Sequence, residues 1–307
     1  MPGNWRTVAP KAFFFFQMGG FMCVQSPPIL AQKGGHFFQI SPFCWQPRNV
    51  EVIVLGYHRF GALPGGKDTL AIQPEVFRRQ MKALKESGIT VISMKDFLSW
   101  RRGEREIPAR SALITIDDGY ISGYATAWPI LKEFKYPFIL YLYTKYINVG
   151  GKSLSWKQLR EMRDAGLEFG SHGVSHENMV CPRTLKEGDY QSWLTNELEG
   201  SRKILESQLN VPITTLAYPY GSHNIGIVQS AFRGGYEAMF TVNPVPVHFD
   251  SPSGSLGRFI ISSTHPETFR NAVRTLNCTG GKTSTSRRTF LSLMAHSFLE
   301  YLKKTVH

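Results

Sequence analysis

The chain is 307 residues long, 42% hydrophobic and 19% charged, with 35 Lys and Arg against 23 Asp and Glu for a net charge of +12. This is ordinary globular usage with enough apolar material for a substantial core, which excludes a disordered or collagen-like chain, and no apolar run reaches the roughly 18 residues of a membrane-spanning helix. Cys23, Cys44, Cys181 and Cys278 form no C-x-x-C pair, which excludes a zinc ribbon, a redox dithiol and a disulfide scaffold and leaves a single bridge open.

The charge is uneven: residues 1–47 carry +3, residues 281–307 carry +4, and the long middle holds the remaining +5. Basicity gathered at the ends argues against a nucleic-acid partner, which needs a basic stripe on a folded face. Arg6 and Lys11 precede the apolar stretch Ala12–Val24, followed by Pro27, Pro28 and Ile29-Leu30-Ala31. That is the basic, apolar, small-residue order of a secretory signal, interrupted by Gln17 and Gly19-Gly20. Residues 1–47 are therefore expected to be a signal or leader with a linker. The protein is expected to be exported, to the periplasm, the cell envelope or the extracellular space.

Beyond the leader, short β-rich runs alternate with amphipathic helices. Val50–Tyr57 is a continuous apolar run, as in a strand buried on both faces, ending at the polar His58. Pro74 starts a helix with Phe77, Met81 and Leu84 on one face, closed by Gly88. Ile89–Ile92 reads as a strand, and Ser93 caps a helix through Trp100. Ala112–Ile116 is the next strand. After Asp117-Asp118-Gly119 comes a helix with Trp128, Leu131 and Phe134, where Pro129 predicts a kink or a late start. Pro137–Tyr143 is a strand, Ser155 caps a helix carrying Trp156, Leu159 and Met162 to Gly166, and Leu167–Gly170 leads into Ser171-His172. Asp189 opens a helix to Leu209 with Trp193, Leu198, Ile204 and Leu205 as its apolar side. Thr214–Ala217, Glu237–Val242 and Arg258–Ile261 are short strands, and Pro266–Leu276 is a final helix.

Such alternation predicts parallel pairing with right-handed crossovers. The fold class is α/β: a (β/α) barrel over residues 48–280, distorted or incompletely closed, with seven to eight strands. Periodicity leaves a doubly wound open sheet as the alternative. Residues 281–307 form a basic tail in which Phe290–Leu302 has an amphipathic helix pattern, read as packing on the barrel before membrane or envelope contact.

Polar groups fall at the ends of the inferred strands, the barrel face on which active sites are built. Adjacent carboxylates Asp117 and Asp118 repel one another and are costly to desolvate unless a cation or donors compensate; the alternative is an Asx turn capping the next helix. His172 and His176 stand four apart, which on a helical turn sets both imidazoles on one side and suits chelation. With Asp118 they make three ligands with open positions, a set for catalytic zinc or another divalent metal such as cobalt or nickel. Gly173 replaces the Glu of H-E-x-x-H, against a zinc-protease helix. The ligand set also permits an iron oxygenase, in which Asp117 and the Tyr218-Pro219-Tyr220-Gly221 loop would have no role.

Together, Thr115-Ile116-Asp117-Asp118-Gly119, Ser171-His172-Gly173-Val174-Ser175-His176 and Tyr218-Pro219-Tyr220-Gly221 resemble, in order and spacing, the polysaccharide deacetylases of carbohydrate esterase family four, the NodB-homology domain, over residues 50–276. Leu55-Gly56-Tyr57-His58 is similar to the branch acting on poly-N-acetylglucosamine, in which a Tyr-His near the domain start supplies the catalytic histidine. The resemblance implies that Asp118, His172 and His176 hold the metal, with zinc the default, that Asp117 is the general base and that His58 is the general acid. It also implies that the Tyr220 N–H faces the oxyanion, with Pro219 and Tyr218 beside the substrate.

Two departures stand out. Gly173 occupies a position where many members have Ser or Thr, and the third motif lacks the Arg that often begins it; Arg258 is the candidate to orient Asp117 instead. His248 and His265 are spare histidines. The implied activity is metal-dependent removal of N-acetyl groups from N-acetylglucosamine units of an extracellular or cell-wall polysaccharide. The departures leave a carbohydrate-binding pseudoenzyme as the alternative. Tyr120, Tyr124, Tyr218 and Tyr220 are candidates either to stack on sugars or to pack in the core, and the basic termini would favour anionic envelope polymers.

Overall fold

The computed structural model describes residues 30–33, 36–39, 50–61, 68–183, 185 and 189–278, and the chain divides into two units, Met1–Gln46 and Pro47–His307. In the first unit, β1 (Leu30–Lys33) and β2 (His36–Gln39) pair antiparallel. The apolar stretch Ala12–Val24 and the helix expected at Phe290–Leu302 lie outside the described residues.

The second unit begins with β3 (Glu51–Tyr57), buried at every position as its apolar run requires. After β4 (Arg59–Phe60) and β5 (Ala71–Ile72), α1 (Pro74–Glu86) starts at Pro74, whose missing N–H is harmless in a first turn. Its buried Phe77, Met81 and Leu84 stabilise the fold by about 1.5–3 kcal/mol each. β6 (Thr90–Val91) leads to α2 (Met94–Arg101), where the Ser93 side chain accepts from Asp96 N as a cap. β7 (Arg110–Asp117) is followed by a π turn over Gly123–Ala127 and then α3 (Trp128–Phe134). Pro129 falls in the first turn of α3, the late start that its ring geometry predicts. β8 (Ile139–Leu142), α4 (Trp156–Asp164) with its Ser155–Gln158 capping box, and β9 (Glu168–Ser171) complete this half.

The expected long helix is divided into α5 (Tyr190–Thr195), a π turn over Asn196–Gly200, and α6 (Ser201–Leu209). Its buried stripe is Leu194, Leu198, Ser201, Leu205 and Leu209. Ile204, expected on that side, is 41% exposed, because one residue on a helix turns about 100° away from its neighbour Leu205. β10 (Thr215–Ala217), α7 (Ile225–Arg233), β11 (Ala238–Phe240), β12 (Phe259–Ile260) and α8 (Glu267–Cys278) follow.

All pairings in the main sheet are parallel, in the order β11-β10-β9-β8-β7-β3-β12. β3 takes one edge of β7 along its length. The other edge is shared, β6 pairing the start of β7 and β8 its end. β11 and β12 do not pair, so the barrel is incompletely closed. The segment between them runs alongside both ends, with a bridge from Phe240 to Leu256 before β12 joins β3. No helix among the described residues is long and apolar enough to cross a membrane.

Candidate metal centre

Parallel strands deliver their C-terminal ends to one rim. His58 follows β3, Asp117 ends β7 with Asp118 next, His172 follows β9, and Tyr220 lies in the turn after β10. The strand order makes these ends neighbours although their sequence positions are far apart.

Asp117 is fully buried, and its Oδ1 accepts from Arg258 at 2.8 Å. Its Oδ2 lies 3.8 Å from His58 Nε2 and has no hydrogen-bond partner among the described residues. Arg258, just before β12, reaches up inside the barrel, and its Nε donates to Thr241 O at 3.1 Å. Gly56 leaves room for Ile260 on the neighbouring strand: a Cβ there would stand 2.7 Å from Ile260 Cδ1, while 3.6 Å from Arg258 Cδ is ordinary contact. Burial would push the Asp117 carboxyl up, but the Arg258 guanidinium, with His172 and His58, outweighs it and holds the group below the usual carboxylate range.

Asp118 adopts a left-handed backbone (φ 71), which Asp tolerates better than most residues, and Gly119 (φ 78) continues the turn. Its Oδ1 lies 3.6 Å from His172 Nε2 and 3.3 Å from His176 Nε2. Burial and the neighbouring Asp117 charge raise its pKa to about 7, the repulsion expected of adjacent buried carboxylates. His172 Nδ1 is tied to Ala217 O at 2.6 Å, which leaves Nε2 to face Asp118. Burial lowers both histidines, His172 to about 3, so the imidazoles are in the neutral, metal-binding form.

The spacing of His172 and His176 led to the expectation of a helical turn, and this is corrected. The segment leaves β9 as a loop with left-handed Gly173 (φ 82) and His176 (φ 59), and that fold-back brings the second imidazole to Asp118. The Asp118, His172 and His176 ligand atoms all lie within 4.8 Å of one another. Two imidazole nitrogens and one buried carboxylate oxygen without a hydrogen-bond donor fit a divalent transition metal such as zinc, cobalt or nickel.

The remaining candidates divide. Tyr220 is 62% exposed in a left-handed conformation (φ 58), with its ring 4.8 Å from that of His176. Pro219 beside it is buried. Tyr218 is a core residue, fully buried, with its hydroxyl donating to Gly254 O at 3.1 Å, so its ring cannot stack on a sugar. Tyr124 is held away by Trp128 and a hydrogen bond to Glu161, whereas Tyr120 packs on Arg59 and Tyr146 near Asp118. His248 sits near Glu51 at the start of β3, and His265 bonds with Ser262 and Thr264.

Two residues escaped sequence reasoning. Tyr143, after β8, packs on His176 at 5.0 Å and stacks on Tyr146 at 5.2 Å. Glu197, buried in the π turn, accepts from Val174 N at 2.8 Å, Ser175 N at 3.0 Å and Ser175 Oγ at 2.7 Å. Its signal was a carboxylate three residues after Leu194, on the apolar stripe of an amphipathic helix.

Residues 104–239 match the family described as Polysaccharide deacetylase. The chain carries a polysaccharide deacetylase domain. The match supports deacetylation of a polysaccharide, and the Asp118, His172 and His176 cluster is a potential metal site. The deacetylase domain is 28% identical over 236 residues to a poly-beta-1,6-N-acetyl-D-glucosamine N-deacetylase of Staphylococcus epidermidis, covering 70% of this chain and 81% of that protein. In fold it resembles the Streptococcus pyogenes deacetylase PplD, solved with acetate, with TM-score 0.65 and 24% identity over 74% of this chain and 99% of that one. It also resembles IcaB from Ammonifex degensii, with TM-score 0.63 and 24% identity over 75% and 98%. The matched segment contains Asp117, Asp118, His172, His176 and Tyr220 but neither His58 nor Arg258, which flank it in sequence and which β3 and β12 bring to Asp117.

Proposed function

We propose that the domain is a metal-dependent N-deacetylase of N-acetylglucosamine units in an exported polysaccharide, with poly-β-1,6-N-acetylglucosamine the favoured class. The carrying observation is the Asp118, His172 and His176 cluster set directly beside a buried carboxylate with a free oxygen, Asp117 Oδ2. The similarity to the staphylococcal deacetylase supports the glycan, and the signal-like order of residues 1–47 supports export.

A divalent cation held by Asp118, His172 and His176 would polarise the acetamide carbonyl and acidify a water. Asp117 Oδ2 takes the proton of the attacking water, while Arg258 holds the other oxygen and keeps the carboxylate charged beforehand. The amine leaves poorly as an anion, so His58 Nε2 donates to it. Burial lowers the His58 pKa to about 4 despite the Asp117 charge, so at neutral pH the imidazole is uncharged at rest. The proton it donates is therefore acquired within the turnover, with Asp117 Oδ2 its neighbour at 3.8 Å. The Tyr220 N–H, by the family resemblance, binds the oxyanion.

The test is acetate release from β-1,4- and β-1,6-linked N-acetylglucosamine oligomers by metal-stripped full-length protein, restored with zinc, cobalt or nickel. Release is expected to return with metal and to proceed without oxygen. Asp117→Asn is expected to bind the metal and to lose about 10²–10⁴-fold in kcat/KM. Absence of metal binding, or an Asp117→Asn protein as active as its parent, would overturn the reading.

A further inference from the structure

We propose that Glu197 is the positioning residue of the metal centre, holding the loop that carries His176 in its ligating conformation. This rests on the metal-dependent reading above and assigns the part of the fold that assembles the third ligand.

Asp117 and Asp118 are held by the end of β7, and His172 by the end of β9, where its N–H donates to Leu142 O. His176 lies five residues beyond the last strand residue, Ser171, past a left-handed Gly173, in a loop whose Gly173 and Val174 carbonyls accept from Thr144 N at 3.2 Å and Lys145 N at 3.0 Å. Of the loop's backbone donors, Gly173 N turns to Ser171 Oγ at 3.1 Å and the next two turn to one side chain: Glu197 Oε2 accepts from both Val174 N and Ser175 N, and Oε1 accepts from Ser175 Oγ. A carboxylate that gathers consecutive N–H groups fixes the backbone more strongly than neutral bonds do, because each bond is charge-assisted.

Three further features tie this carboxylate to the loop. Glu197 is 1% exposed, and a buried carboxylate is retained only where its oxygens are satisfied, which among the described residues the loop does. Gly173 is cut to fit: a Cβ at its position would stand 2.8 Å from Glu197 Oε2. The absent side chain thus makes room for the acceptor. Glu197 also lies in the π turn Asn196–Gly200, anchored where Ser201 Oγ meets Ser171 Oγ at 2.7 Å. The helix is thereby fastened to the end of β9, next to His172.

The experiment compares the full-length parent with Glu197→Gln and Ser175→Ala. Metal affinity is read by competition with a chromophoric chelator, and hydrogen exchange of the Val174 and Ser175 amides is read in metal-free protein. Glu197→Gln is expected to weaken metal affinity about 10–100-fold, the usual effect of losing a residue that orients ligands, and to speed exchange at those two amides. Ser175→Ala removes only the Oε1 contact and is expected to weaken affinity by a smaller factor with the fold intact, so it decides the matter if Glu197→Gln does not fold. Parent-like affinity and exchange in Ser175→Ala, together with parent-like or unmeasurable Glu197→Gln, would overturn the proposal. A parent that binds no metal would instead overturn the metal-dependent reading, which separates the two failures.

Discussion

His172 and His176 reach Asp118 from supports of different kinds. His172 is an extension of the sheet: its N–H is bonded to Leu142 O on β8, and its ring is bonded to Ala217 O on β10. His176 stands on a loop with two left-handed residues, held by backbone bonds from Thr144 and Lys145 and by a carboxylate from the helical layer. Each sheet bond is one of many in a cooperative ladder, so no single bond decides where His172 sits. The loop's bonds lie outside any ladder: its carbonyls accept from Thr144 N and Lys145 N, and its Val174 and Ser175 N–H groups both depend on Glu197, so that one side chain weighs heavily on where His176 sits. The two halves should accordingly fail in different ways when cut.

The largest break belongs to the sheet-held half. Arg258 and Asp117 form an ion pair in which both side chains are 1% exposed. Arg258→Met would leave a buried carboxylate without its partner, and a stability loss of about 3–5 kcal/mol is expected from urea denaturation. Arg258→Lys, retaining the charge, is expected to lose less. Equal stability of parent and methionine variant would mean that the sheet does not depend on this pair.

A smaller break belongs to the loop. Gly173→Ala forces a β-carbon into a left-handed conformation and against Glu197, with an expected loss of about 1–2 kcal/mol. Metal affinity should fall along with stability in this variant. Stability lost with affinity retained would show that His176 finds its place without the loop geometry. The smallest effect sharpens the contrast from outside both halves. Ser155→Ala removes the capping box of α4 and is expected to cost about 1 kcal/mol in thermal unfolding, with kcat/KM unchanged.

Much of the scaffold was legible because its signals are local. The apolar run before His58 buries as β3, Ser93 and Ser155 cap the helices expected of them, and Pro129 marks the delayed start of α3. The candidate donors were legible because Asp118 and His172 each follow a strand and His172 and His176 share one short motif. The loop that joins those two was misread. Four-residue spacing is equally compatible with a helical turn and with a fold-back, and left-handed Gly173 and His176 took the second. Tyr218 and Tyr220 look alike in sequence, yet one anchors the core at Gly254 and the other stands at the rim, a difference set by which way the turn after β10 faces.

Sequence alone determined the alternation that builds a parallel barrel, the polar residues at its strand ends, and a donor set of two imidazoles and a carboxylate. Tertiary structure alone decided which of those ends are neighbours, that Arg258 lies under Asp117 across 141 residues of chain, and that Glu197 closes on the loop 23 residues before it. The physical reason is range. Caps, turns and hydrophobic periods act over a few residues and are written locally, whereas a hydrogen bond or ion pair acts over about 3 Å and is made only after strand order has brought distant residues together.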